Sequence, residues 1–195
     1  MQSEDELSSR LLLSLLEEFF SKAHIVLPRY VKAIDIGAGK WHYAEPLYNF
    51  LSTYHGNRTV ELRGIDTKED TMQQNKSKNG PIAFSKADVF SIKAKNAFHM
   101  AFLIHMFPEY HFREHNIPFR PYKELFAKIF ELLKPEGILV AIAYGSPEDE
   151  YSFFDEVPKE SVLYRGRYLS EEATRIDYFL GKDTFHNNMV LIARK

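Results

Sequence analysis

Two glycines one residue apart, set between an apolar run and a helical pattern, constrain this chain more than any other stretch. Val31, Ala33, Ile34 and Ile36 form the short apolar run that a doubly covered parallel strand needs. Ala44, Leu47, Tyr48 and Leu51 then repeat at helical spacing. Gly37 and Gly39, between the two, permit backbone angles that other residues resist. They also leave the turn bare of Cβ atoms, so a ligand can approach the main chain. A helix that starts where a buried parallel strand ends aims N–H groups and a positive dipole end into the cleft above the sheet. Such a unit is either a nucleotide-type site or an ordinary strand-to-helix connection. A dinucleotide fingerprint would need its third glycine at His42, which is large and polar. The alternative pattern, Asp-x-Gly-x-Gly, is met by Asp35, Gly37 and Gly39.

The 195 residues suffice for one domain with a full core, an N-terminal helix over residues 1–28 and a core over 29–195. A formal charge of −2 gives no electrostatic reason to expect nucleic acid or an anionic membrane as partner. The chain has no cysteine, so disulfides and thiolate metal sites are excluded. Its start carries Glu4, Asp5 and Glu6, and Ser14 breaks the apolar run that follows. Neither a secretory signal nor a membrane span is expected, and the cytoplasm is the expected compartment.

Leu7, Leu11, Leu12, Leu15, Leu16, Phe19, Phe20 and Ala23 predict an amphipathic first helix, a packing element on the sheet or a cover over its cleft. Val60, Leu62 and Ile65 predict a second strand that ends at Asp66. An acid at that point accepts hydrogen bonds from ribose hydroxyls in nucleotide-binding α/β folds, or caps the next helix, here Lys68 to Lys76. Ile82, Phe84 and Ala87 predict a third strand, followed at once by Asp88 and Val89. A fourth strand is expected from Ala97 to Phe107, with Pro108 as its terminator. The long connection after it holds His111 and His115 at i, i+4 spacing, but no Glu adjoins the first histidine and no metal site is expected. A helix from Tyr122 to Leu133 leads through Lys134-Pro135-Glu136-Gly137 into a strand from Ile138 to Tyr144, with Pro135 stopping the helix and Gly137 freeing the turn. Ser146 reads as the cap of a further helix, and Arg175–Leu180 with Asn188–Ala193 reads as a closing hairpin.

Asp35-x-Gly37-x-Gly39 and the helix, Leu133-Lys134-Pro135-Glu136-Gly137, strand segment together resemble the class I S-adenosylmethionine-dependent methyltransferases. The resemblance implies a three-layer α/β/α sandwich with a mostly parallel seven-stranded sheet and a C-terminal antiparallel hairpin. It implies S-adenosylmethionine as cofactor. Gly37 and Gly39 would approach its amino-acid portion, with Asp35 helping to position it. Asp66 would hold the ribose, and Asp88 with Val89 the adenine. It places the transferred methyl group beside the end of the fourth strand, so His105 is the expected general base if the acceptor must lose a proton. His42, His111 and Tyr144 are expected to line the substrate pocket. Two departures stand out. Trp41 occupies a position where the family often has another glycine, and His105-Met106-Phe107-Pro108 replaces the polar-Pro motif of many nitrogen methylating relatives. The expected function is methyl transfer to a small molecule, which a compact chain without a basic surface favours over RNA. A non-catalytic cofactor-binding protein and an RNA methyltransferase are the alternatives.

Overall fold

Alternation along each strand decides the layers. In Tyr30–Ile36 (β1), Val31 and Ala33 enter one apolar cluster while Ile34 and Ile36 enter another. A strand buried on both faces belongs inside a parallel sheet covered on each side. The computed structural model describes residues 4–39, 41–67, 80–104, 122–144, 154–168 and 188–195. Thr59–Asp66 (β2), Ile82–Lys86 (β3), Phe98–Ile104 (β4), Leu133–Tyr144 (β5), Val162–Tyr168 (β6) and Asn188–Arg194 (β7) join β1 in one seven-stranded sheet. Its order is β3-β2-β1-β4-β5-β7-β6. The first five strands are mutually parallel where they pair, and β7 runs antiparallel to both β5 and β6. Strand order reverses between β1 and β4, which puts the crevice of an open α/β sheet at the carboxyl ends of these two strands.

Glu4–Lys22 (α1) and Ala44–Thr53 (α2) cover the face that carries Val31, Ala33, Leu62 and Val140. Phe19 packs on Tyr164 and Tyr168 of β6, and Phe20 on Phe50 and Tyr54 beside it. Tyr122–Leu132 (α3) covers the opposite face through Leu125, Phe126, Ile129 and Leu132. The three layers and the antiparallel finish agree with the expected architecture.

Two details differ from the sequence reading. The strand beside β7 on its outer edge is Val162–Tyr168, whose half-exposed residues, Val162, Tyr164, Arg165 and Gly166, show no clean apolar alternation. Arg175–Leu180 lies outside the described residues, as do the expected helix from Lys68 and the helix cap at Ser146. The turn before β5 is also tighter than expected. The helix runs directly into the strand, and the β4–β5 register shifts between Phe98 and Met100 to absorb the extra residues. The left-handed backbone falls on Glu136 (φ 64°) rather than on Gly137. Gly137 is needed for space instead, since a Cβ there would stand 2.8 Å from the Lys134 carbonyl oxygen.

Candidate functional site at the strand tips

The parallel pairing of β1 with β2 sets Asp35 opposite Gly64 and Ile36 opposite Ile65. After Ile36 the chain turns sharply through Gly37 (φ 71°) and Gly39 (φ 56°), both in the left-handed region that favours glycine. The N–H groups of Gly37 and Ala38 donate to the Ile65 carbonyl at 2.9 and 3.0 Å. The Gly39 N–H donates to Asp66 Oδ2 at 2.9 Å. The turn therefore folds over the end of β2, and Asp66, only 7% exposed, is held against it. At Gly39 a Cβ would meet nothing within 4 Å, so the turn presents bare main chain to open space. That arrangement fits a ligand that needs close approach to the backbone beside a carboxylate. The start of α2 adds fewer donors than the sequence suggests. The Ala44 N–H is taken by the Trp41 carbonyl at 3.1 Å, and Pro46 has none.

Asp35 is fully buried beneath this turn. Its Oδ2 accepts the Trp41 indole N–H at 2.8 Å, while Oδ1 lacks a well-formed hydrogen bond. Burial pushes its pKa up to about 7; Tyr43 and Trp41 favour the charged form but do not offset burial, and the Asp66 carboxylate adds to the rise.

Trp41 has left-handed backbone too (φ 50°). For a residue with a Cβ this costs roughly 1–2 kcal/mol. The indole outweighs that cost: an aromatic side chain of its size removes on the order of 200 Å² from water, which contributes roughly 5 kcal/mol. Asp35, Gly64 and Phe84 form one row across β1, β2 and β3. The indole lies along that row, bonded to Asp35, over Gly64 and 6.0 Å from the Phe84 ring centroid. It packs on the sheet face and leaves Gly39 uncovered.

Asp88 follows β3 on the surface, where its Oδ1 accepts the Phe90 N–H at 3.0 Å and caps a short 3-10 turn, Val89–Ser91. Val89 is buried among Ile34, Ile36 and Ile65. His42 is exposed, with its ring edge-on to Tyr43 at 5.3 Å. Tyr144 ends β5, and its side chain lies outside the described residues, as do all of His105 and His111. Asp35, Gly37, Gly39 and Asp66 thus come together, with Asp88 and Val89 at the end of the outermost parallel strand. Sequence reasoning missed Gly64. A glycine inside a strand signals close approach by another group, and that cue was present. Among the described residues no three metal-ligating side chains gather, and no helix is long and apolar enough to cross a membrane. A groove of about 720 Å³ along α1 and α2, lined by Leu13, Glu17, Phe50 and His55 among others, includes none of the candidate site residues Asp35, Gly37, Gly39, Asp66, Asp88 and Val89.

No family model matches the chain, and no curated protein sequence matches it significantly. Solved structures are similar to it along nearly its whole length. The (4+2)-cyclase SpnF shares 18% identity at a TM-score of 0.64, over 96% of this chain and 80% of its own. Coclaurine N-methyltransferase, bound to N-methylheliamine and S-adenosylhomocysteine, shares 12% at 0.62, over 100% and 72%. An S-adenosylmethionine-dependent methyltransferase from Archaeoglobus fulgidus shares 14% at 0.55, over 96% and 94%. At such identities the likeness is one of fold.

Proposed function

We propose that this chain, which has the fold of the class I S-adenosylmethionine-dependent methyltransferases, binds S-adenosylmethionine and transfers its methyl group to a small molecule. The observation that carries the reading is the bare turn at Gly37 and Gly39 bonded to the Asp66 carboxylate at the crevice between β1 and β4. In this reading Gly37 and Gly39 admit the amino-acid portion to the main chain, and Asp35 supports the turn from beneath. Asp66, aligned by the Gly39 N–H, accepts from the ribose hydroxyls. Asp88 accepts from the adenine amino group, with Val89 against the ring. Bound there, the cofactor supplies a methyl group already activated by its sulfonium. The chain then has only to hold an acceptor in line and keep water out. His42 lines the acceptor side, together with Tyr144 and His111, and His105 takes a proton where the acceptor must lose one.

Calorimetric titration with S-adenosylhomocysteine and with NAD tests the cofactor. Binding of the first and none of the second supports the reading; no binding of the sulfur compound overturns it. Asp66→Ala should weaken that affinity at least about tenfold; an unchanged value removes Asp66 from the ribose. Labelled-methyl transfer into a small-molecule fraction, rather than RNA, tests the acceptor class.

A second reading draws on SpnF, a cyclase that shares this fold: cofactor binding without methyl transfer. Tight S-adenosylhomocysteine binding with no methyl incorporation into any fraction would favour it.

A further inference from the structure

Trp41 joins two consecutive turns. Its N–H donates to the Ala38 carbonyl at 3.0 Å, and its carbonyl accepts from Ala44, the first residue of α2. Whatever fixes Trp41 therefore fixes both the glycine turn and the start of the helix behind it. Two groups do so. The indole N–H is tethered to Asp35, and the ring is seated on β2 where residue 64 has no side chain. A Cβ at position 64 would stand 2.8 Å from three indole carbons, so the seat exists only for glycine.

We propose that Trp41 is a positioning residue for the adenosyl cofactor. Its indole, seated over Gly64 and tethered to Asp35, holds the turn where the Gly39 N–H aligns the Asp66 carboxylate for the ribose. The inference rests on the cofactor reading given above. A glycine at position 41 would reach the same backbone angle through conformational freedom and would leave the turn free to leave it again. Tryptophan reaches that angle and stays, because leaving would pull a buried ring from its seat and a hydrogen bond from a buried carboxylate. Trp41 itself touches no part of the ligand in this scheme. It acts through Gly39 and Asp66.

The test is a thermodynamic cycle read by calorimetric titration with S-adenosylhomocysteine, with unfolding followed in parallel. Trp41→Phe keeps a ring over Gly64 and removes the tether. It should bind the compound about five- to tenfold more weakly. In an Asp66→Ala background the same substitution should make less than about a twofold difference, because the residue through which it acts is gone. A loss of stability alone would lower the melting temperature without this dependence on Asp66. Wild-type affinity in Trp41→Phe, or a loss that adds in full to that of Asp66→Ala, overturns the proposal. Should Trp41→Phe fail to fold, Gly64→Ala displaces the indole from the opposite side and must weaken the same affinity; an unchanged value there overturns the proposal equally. A wild-type chain that binds no S-adenosylhomocysteine overturns the cofactor reading itself, an outcome distinct from all of these.

Discussion

Gly64 and Trp41 are complementary between strand and turn: the glycine in β2 lacks the atom that would otherwise stand 2.8 Å from the indole. Neighbours in such contact should show strong coupling. Gly64→Ala should destabilise the fold by about 1–3 kcal/mol through overpacking, lowering the melting temperature by about 2–4 °C for each kcal/mol. In a Trp41→Gly background the seat is empty, and the same added methyl should be neutral or stabilising. Equal losses in the two backgrounds, measured by urea unfolding, would show that the two residues do not share this space.

Asp35 makes stability depend on pH in an unusual direction. Its folded pKa of about 7 lies above the ordinary value of 3.8. Between these values the folded chain holds a proton that the unfolded chain has lost. Stability should therefore fall as pH rises through this window, by up to about 1.4 kcal/mol per pH unit, and level off above it. Asp35→Asn retains an oxygen for the indole N–H and cannot ionise. It should abolish the decline and unfold at higher urea concentration than the parent at pH 8. Parallel pH profiles for the two proteins would rule this out.

His99 should act in the opposite sense. Its Nδ1 accepts the backbone N–H of Lys32 at 2.9 Å, and its Nε2 lies 3.0 Å from the Lys134 ammonium. Burial first, then Lys134 and Lys32, hold its pKa below 6.5. Below pH 6.5 the unfolded chain gains a proton that the folded one resists, so stability is lost as pH falls. Protonation also removes the acceptor for Lys32. His99→Phe should cost about 1 kcal/mol at pH 7.5 through the orphaned N–H, and should flatten the loss below pH 6.5. A variant as acid-sensitive as the parent would assign that sensitivity elsewhere.

The link from α3 into β5 separates two uses of glycine. Gly137→Ala would drive a methyl against the Lys134 carbonyl at 2.8 Å and the Leu133 Cβ at 3.0 Å, neither of which can swing away. A loss of about 2 kcal/mol is expected. Glu136→Gly should instead be neutral or stabilising by up to about 1 kcal/mol, since it relieves a left-handed residue. The exposed Glu136–Arg194 pair at 3.5 Å contributes little against this. Thermal unfolding that ranks the two variants the other way would refute the assignment.

The apolar runs and helical spacings were legible in the chain because burial on one face or two leaves a local period. Strand, glycine turn and helix around Gly37 and Gly39 followed from that period, as did the strand ends at Asp66 and near Asp88, and with them most of the candidate site. The edge strand Val162–Tyr168 left no such trace, since the face it turns to Phe19 carries Tyr164, Gly166 and Tyr168 rather than an aliphatic run. Tertiary structure alone decided where Trp41 goes. Its seat is a missing atom on β2, its tether a buried carboxylate on β1. Periodicity reports whether a residue is covered; which residue covers it is a property of the packed molecule.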